Sequence, residues 1–302
     1  TPESMTIKCT GTLTTEDISL KGIKANSVIE LLSGTYNIDT MDDCIHSNDT
    51  IVVKDGIYTL KSSDDAVHAD SFLNITGGTI QITGCYEGLE SGDITIAGGN
   101  IDITSSDDGI NGAGGQDGNA NNGFGNDIFQ PGRPGGGQPG GTANSIYKLL
   151  ISGGDINVNS AADGVDVNGD IYMTGGKLII YGPTDNANAS LDYDKTFVIN
   201  GGILMALGST GMAQAPSETS SQPFVQMSLS ARQLANTAIR ISEGSTELIT
   251  VNAKKAFQSV IFSLPAMKIG NSYVCTIGSQ NYELMLQSIK TTYGNANQNP
   301  WG

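Results

Sequence analysis

A stretch close to Gly98–Asn111, GGNIDITSSDDGIN, recurs along the first two thirds of this chain. Counting from the second glycine of each copy, the markers are Gly34, Gly56, Gly78, Gly99, Gly154 and Gly176. The steps between them are 22, 22, 21, 55 and 22 residues. The step of 55 is one period plus a low-complexity insert. A fixed period in the twenties means a solenoid, in which each unit buries its apolar face only against its neighbours.

The apolar residues keep register with the marker. Five and three residues before it stand pairs such as Ile29 and Leu31, Ile51 and Val53, and Ile94 and Ile96. Two and four residues after it stand Tyr58 and Leu60, Ile80 and Ile82, and Ile101 and Ile103. Eleven after it comes a single residue: Ile45, Val67, Leu89, Ile110 or Val165, with Ile23 and Leu191 extending the column. Each coil thus holds three short segments of alternating polarity, separated by corners. The expectation is an all-β fold, a right-handed parallel β-helix with about 22 residues per coil; the hand rests on analogy with other β-helices. Equivalent residues then stack at ~4.8 Å, and ladders of Ile, Val and Leu fill the interior at ~1.5–3 kcal/mol per buried side chain.

Residues 1–20 fit the repeat poorly. Short strands at Thr6–Lys8 and Thr12–Leu13 are expected to close that end of the rod, because a bare terminal coil exposes strand edges. Gly112–Ser145 is too poor in apolar residues to pack and reads as a long excursion, either an idle loop or a lid over the neighbouring acidic surface. Asn200–Gly202 opens one more coil, with Ile203, Met205 and Leu207. The helix therefore occupies 1–208, with its insert at 112–145. Residues 209–302 are expected to form a small antiparallel β cap at the far end. Its strands are placed at Phe224–Leu229, Thr237–Ser242, Glu247–Val251, Gln258–Leu264 and Ser272–Ile277, followed by a polar, weakly packed tail from Thr291.

The chain carries 31 acids against 15 bases, a net charge of −16. That argues against nucleic acid and anionic membranes as partners. No apolar run is long enough to span a bilayer. The chain begins at Thr1 without a signal-like segment, which fits a processed form. Cys9, Cys44, Cys85 and Cys275 contain no CxxC pair, which disfavours structural zinc. They read as buried thiols ahead of disulfides, and the redox compartment stays open. The expected oligomeric state is a monomer.

The acids are not scattered. Position eight after the marker holds Asp42, Asp64, Tyr86, Asp107 and Ala162; position nine holds Asp43, Asp65, Glu87, Asp108 and Asp163. Position twelve holds His46, His68, Glu90, Asn111 and Asp166, with Lys24 and Asp192 at its ends. Stacking sets carboxylates ~5 Å apart, where a pair of charges repels by ~0.8 kcal/mol in water and ~3 kcal/mol at an effective dielectric of 20. Over several coils the strain is comparable with a typical folding stability of ~5–15 kcal/mol. Either some carboxylates protonate, or cations sit between the coils. Clustered oxygen donors suit Ca²⁺, which takes 6–8 of them, and more than one ion is expected. The candidate metal ligands are Asp42, Asp43, Asp64, Asp65, Glu87, Glu90, Asp107, Asp108, Asp163 and Asp166. The competing explanation is that DD and DG simply make good corners. Lys24, His46, His68, Tyr86 and Asn111 are the candidate carbohydrate contacts, through hydrogen bonds to hydroxyls or carboxylates. For the two histidines, stacking on a surface ladder is the plainer alternative.

On TSSDDGIN (Thr104–Asn111), KSSDDAVHAD (Lys61–Asp70), GCYEGLES (Gly84–Ser91), the Gly-rich insert and the segment Gly201–Pro223, the chain resembles a family of calcium-containing carbohydrate-binding parallel β-helix proteins. These are similar in shape to pectate lyases. The resemblance implies Ca²⁺, a polysaccharide partner and a secreted or cell-surface location. It carries the metal role onto the acidic columns, with incomplete sites at Tyr86 and Ala162.

Uronate β-elimination needs a Lys or Arg base beside the metal, and Glu90, Asn111 and Asp166 supply none. The expected function is therefore non-catalytic, calcium-dependent binding of acidic plant-type glycans such as pectin or polygalacturonate, or of cellulose-like chains. The alternatives are a calcium-dependent polysaccharide lyase and a structural spacer.

Overall fold

The structure, a computed structural model, describes residues 4–8, 20–113 and 147–294. Cys9, the expected strand Thr12–Leu13 and the body of the insert lie outside them. The described residues form strands and turns and no helix. They build a parallel β-solenoid of about 7 turns of ~22 residues, followed by antiparallel strands.

Three files of parallel strands run the length of the rod. In the first, Ile29, Ile51, Leu73, Ile94, Leu149, Ile171 and Phe197 stack in register. In the second, Tyr36, Tyr58, Ile80, Ile101, Ile156, Leu178 and Leu204 do the same. In the third, Ile23, Ile45, Val67, Leu89, Ile110, Val165 and Leu191 are aligned. Ile110 pairs with Val165 directly, so the insert is spliced out without a register slip. Gly112 still belongs to the strand Ile110–Gly112. These columns merge into one continuous apolar core.

The marker glycine is required at the corner between the first and second files. All six markers have positive φ, from 75° at Gly176 to 126° at Gly56, and so does Gly202 at 90°. A side chain is strained in that region. The preceding glycine is needed for a different reason. A Cβ on Gly153 would lie 2.2 Å from the carbonyl oxygen of Ala97 in the coil below. Coils stacked this tightly leave no room for it.

The start of the rod matches expectation in part. Ser4–Lys8 forms a strand, one residue pair longer than read from sequence, and pairs in parallel with Thr35–Asp39.

At the other end, the last coil faces the opposite way from the sequence reading. Leu204 and Ala206 point into the solenoid core. Met205 and Leu207 instead join a second cluster with Ile179 and Tyr181, and Ile203 packs against it. The outer face of the final coils is therefore a second core, covered by Val225, Met227, Val260 and Phe262.

Phe257–Ser263 pairs antiparallel with the final solenoid strand, and Phe224–Gln233 pairs with it in turn. The expected weak tail begins as a strand, Lys290–Tyr293, parallel to Phe224–Met227. Ala238–Glu243, Thr246–Asn252, Ser272–Ile277 and Gln280–Met285 make a separate four-stranded antiparallel sheet. Side chains of the intervening loop close the other two files. Ser217 and Ser220 hydroxyls accept from the Phe197 and Ile199 N–H groups, and Gln214 donates to Asp192 at 2.6 Å. Edges that would template aggregation are thus covered.

Candidate functional site

The corner between the second and third files is built by short hydroxyl side chains. Thr40, Ser62, Ser105 and Ser160 each donate to the carbonyl two residues on, at 2.6, 2.7, 3.2 and 3.3 Å. Such local bonds favour a turn over continued strand, and they throw positions eight and nine onto the corner.

Position nine then acts between coils. Asp43 accepts from the N–H of Asp65 at 3.1 Å, Asp65 from that of Glu87 at 3.2 Å, and Asp108 from that of Asp163 at 2.8 Å. Asp163 accepts from the N–H of Ala189. Each carboxylate therefore fastens its coil to the next one with one oxygen. The longer Glu87 side chain accepts from Asn111 Nδ2 at 2.7 Å. An acid in this column thus has a structural role as well as a charge.

The charge is resolved differently along the rod. At the N-terminal end, the buried Lys21 ammonium lies 2.9 Å from Asp42 and 2.5 Å from Asp43. His46 Nδ1 is 2.7 Å from Asp43, and His68 Nδ1 is 3.1 Å from Asp65 and 2.8 Å from Glu90. The two imidazoles stack with centroids 4.8 Å apart. Burial pushes Asp43 upward, but the His46 bond and the Lys21 charge outweigh it and hold the group at about 2. Burial opposes charge on His68, yet Glu90, Asp65 and Asp70 together hold it well above the ordinary range. Of the two carboxyls facing His68, Asp65 is raised by burial and by Glu90, while Glu90 is lowered by His68 against its own burial. Within this pair a proton is held more tightly by Asp65 than by Glu90.

Further along, relief is partial and then runs out. Asp64 is pushed up to about 7 by burial and by Asp43 and Asp42. Tyr86, half-buried at position eight, interrupts the acidic column there; burial and then its hydrogen bond to Asp107 raise its hydroxyl. Beyond it, Asp108, Asp163 and Asp166 bring carboxylate oxygens within 4.8 Å of one another. No Lys, Arg or His among the described residues is ion-paired with them. Burial, then Asp163 and Asp107, push Asp108 up to about 8. Burial, then Asp192 and Asp163, push Asp166 to about 7. Burial raises Asp163 to about 6, with Asp192 adding to it and the Ala189 N–H opposing. Asn111 aligns with Asp166 in the next coil. Its Oδ1 is buried without a donor among the described residues.

Ten acids read as metal ligands therefore lie along one corner, in three electrostatic settings. Asp42, Asp43, Asp65 and Glu90 are met by Lys21, His46 or His68. Asp64 and Glu87 are raised chiefly by burial, and Glu87 is held by Asn111. Asp107, Asp108, Asp163 and Asp166 have no basic partner of that kind among the described residues. Among the expected carbohydrate contacts, Lys24 is exposed and Tyr86 half-buried. His46 and His68 are 2% and 0% exposed, so neither ring lies on the surface a glycan would meet. Both rings sit inside the stack, where His46 hydrogen-bonds Asp43 and His68 lies against Asp65 and Glu90.

Sequence reasoning missed two cations. Lys21 stands one period before Asp43, so the repeat itself carried that signal. Lys255 comes from the antiparallel region and donates to the Ser160 carbonyl at the solenoid corner. Burial lowers it to about 8, with Asp185 opposing. No spacing in the sequence links it to this corner.

Fold and corner together define a parallel β-solenoid that displays a stacked file of carboxylates. Residues 1–185 match the model of a family described as carbohydrate-binding domain-containing protein, and the chain belongs to that family. The matched region includes Asp107, Asp108, Asp163 and Asp166, while Ala189 and Asp192, which also border the corner, lie just beyond it. Neither the curated proteins nor the solved structures give a match.

Proposed function

We propose that this protein binds acidic polysaccharides of the pectin or polygalacturonate type through calcium held at the Asp108, Asp163 and Asp166 corner, outside the cell or at its surface. The observation that carries the reading is the combination of three converging carboxyls, each raised by burial and mutual repulsion, with the donorless Asn111 Oδ1. The donor set is all oxygen, which fits a hard cation. One oxygen each of Asp108 and Asp163 is anchored by a backbone N–H, so little ordering is left to bind an ion. Calcium would supply positive charge to which a uronate carboxylate can bind. Without it, a chain of net charge −16 repels an acidic glycan.

The test is metal analysis of the purified protein combined with affinity electrophoresis in polygalacturonate gels. Retained calcium, and retardation that disappears in EDTA, support the reading. Absence of both removes it.

Lys255 favours a second reading, calcium-assisted β-elimination. An amine lowered to about 8 and held at the solenoid corner is a competent proton acceptor near neutral pH. Release of ultraviolet-absorbing unsaturated uronates, lost in Lys255→Met, separates elimination from binding.

A further inference from the structure

A groove unrelated to the acidic corner opens where the antiparallel region meets the end of the rod. It has a volume of about 790 Å³, and its lining includes Thr210, Leu229, Gln258, Gln280, Tyr282 and Tyr293. These residues come from five separate segments, so only the folded C-terminal region creates it. It lies outside residues 1–185, the part that the family match covers.

Its chemistry is specific. Leu229 is buried, while Tyr282 is half-buried and Tyr293 is 39% exposed. The tyrosine rings meet edge to face, with centroids 5.2 Å apart and planes at 79°. Tyr282 donates its hydroxyl proton to Gln280 Oε1 at 2.9 Å, which leaves the Gln280 NH₂ uncommitted among the described residues. Gln258 donates to the Leu229 carbonyl at 2.9 Å, which leaves its own Oε1 as an acceptor. Among the described residues, no charged side chain lines the groove.

From these features we infer that the groove is a second glycan subsite, for a neutral oligosaccharide. This rests on the reading of the protein as a polysaccharide binder. A pyranose presents C–H groups on its faces and hydroxyls at its rim. Rigid tyrosine rings offer an electron-rich face to the C–H groups at low entropic cost. Amide and hydroxyl groups at the margin match the rim with both donors and acceptors. A volume of this size is ordinary for a small-molecule site. With no cation in the lining and a strongly negative chain around it, the groove disfavours a uronate. The two sites would thus take glycans of opposite character, one through calcium and one without it.

Calorimetric titration with cellohexaose, xylohexaose and mannohexaose in EDTA tests the inference, since EDTA silences the acidic corner. At least one hexasaccharide should bind and perturb the tyrosine absorption band. Tyr282→Ala and Tyr293→Ala should each weaken that binding on the order of tenfold, while calcium-dependent retention by polygalacturonate is unchanged. Melting temperature verifies that the variants fold. Tyr293→Phe, which keeps the ring, should retain most of the affinity.

If no hexasaccharide binds while polygalacturonate still does, the subsite is overturned and the acidic site stands. If the double alanine variant binds as the wild type does, the groove is not the site. A proline-rich peptide that binds where the sugars do not would overturn the glycan assignment.

Discussion

Replacing Asp108 with Asn tests the central electrostatic claim. The amide keeps an oxygen that can accept from the Asp163 N–H, now at 2.8 Å, but it carries no charge. In the wild type the folded state holds the Asp108 proton up to about 8, against 3.8 for an ordinary aspartate. The folded state thus binds that proton more tightly than the unfolded chain does. Its contribution is fully present below the unfolded value near 3.8 and is lost as pH rises through about 8. Each pH step is worth ~1.4 kcal/mol. Between pH 5 and 8, Asp108 alone sets a ceiling of about 4 kcal/mol. At roughly 2–4 °C per kcal/mol, that is on the order of 10 °C in melting temperature.

The assay is calorimetric unfolding at both pH values, in EDTA and in calcium. In EDTA, the wild type should melt markedly lower at pH 8 than at pH 5, and Asp108→Asn should flatten that difference. Calcium, which favours ionised carboxylates, should raise the wild-type melting temperature most at pH 8 and the variant little. A wild type equally stable at both pH values in EDTA refutes the reasoning. So does a variant as pH-sensitive as its parent.

Three further outcomes are expected. Lys21→Ala leaves the buried Asp42 and Asp43 without their ammonium and should cost ~3–5 kcal/mol by urea unfolding at pH 7. Because Asp43 is depressed to about 2, that stabilisation exists above the unfolded value near 3.8 and should vanish as pH falls through 2. Gly154→Ala, at a φ of 90°, should cost ~1–3 kcal/mol, whereas Asn100→Ala on the exposed face should stay within ~0.5 kcal/mol. Cys44, Cys85 and Cys275 are free and buried, with burial pushing Cys44 up to about 11 and Cys275 up to about 12. They should react with Ellman's reagent only after denaturation; rapid native reaction of more than one thiol contradicts their burial.

Much of the solenoid was legible because its information is local and repeated. Ile29 through Ile171, or Ile23 through Val165, declare their columns by spacing alone, and each coil constrains the next; Leu191 joins its column only after an insertion of four residues around Pro183–Asn186. The last coil misled because its alternation fails. Ile203–Leu207 is apolar throughout, and so is Leu178–Tyr181, as expected when both faces of a strand are buried. The run signalled a covering layer but did not say which residues faced it. Gln280–Met285 and Lys290–Tyr293 were missed as strands. Lys290–Tyr293 pairs with Phe224–Met227, far away in sequence, and Gln280–Met285 folds back on Ser272–Ile277 across Gly278 and Ser279; no repeat announces either.

The period, the marker glycines and the column of acids at position nine were all determined by sequence, because parallel stacking turns a constant step into a spatial file. What the stack then does with those charges was decided by the fold. Lys21 and His68 fold into one end as internal counter-charges, with His46 hydrogen-bonded to Asp43 beside them, and the Asp108, Asp163 and Asp166 end is left without them. A repeat specifies that like sits on like. Only the packed three-dimensional arrangement settles which members of the file are desolvated, which are paired, and which are left without a basic partner among the described residues.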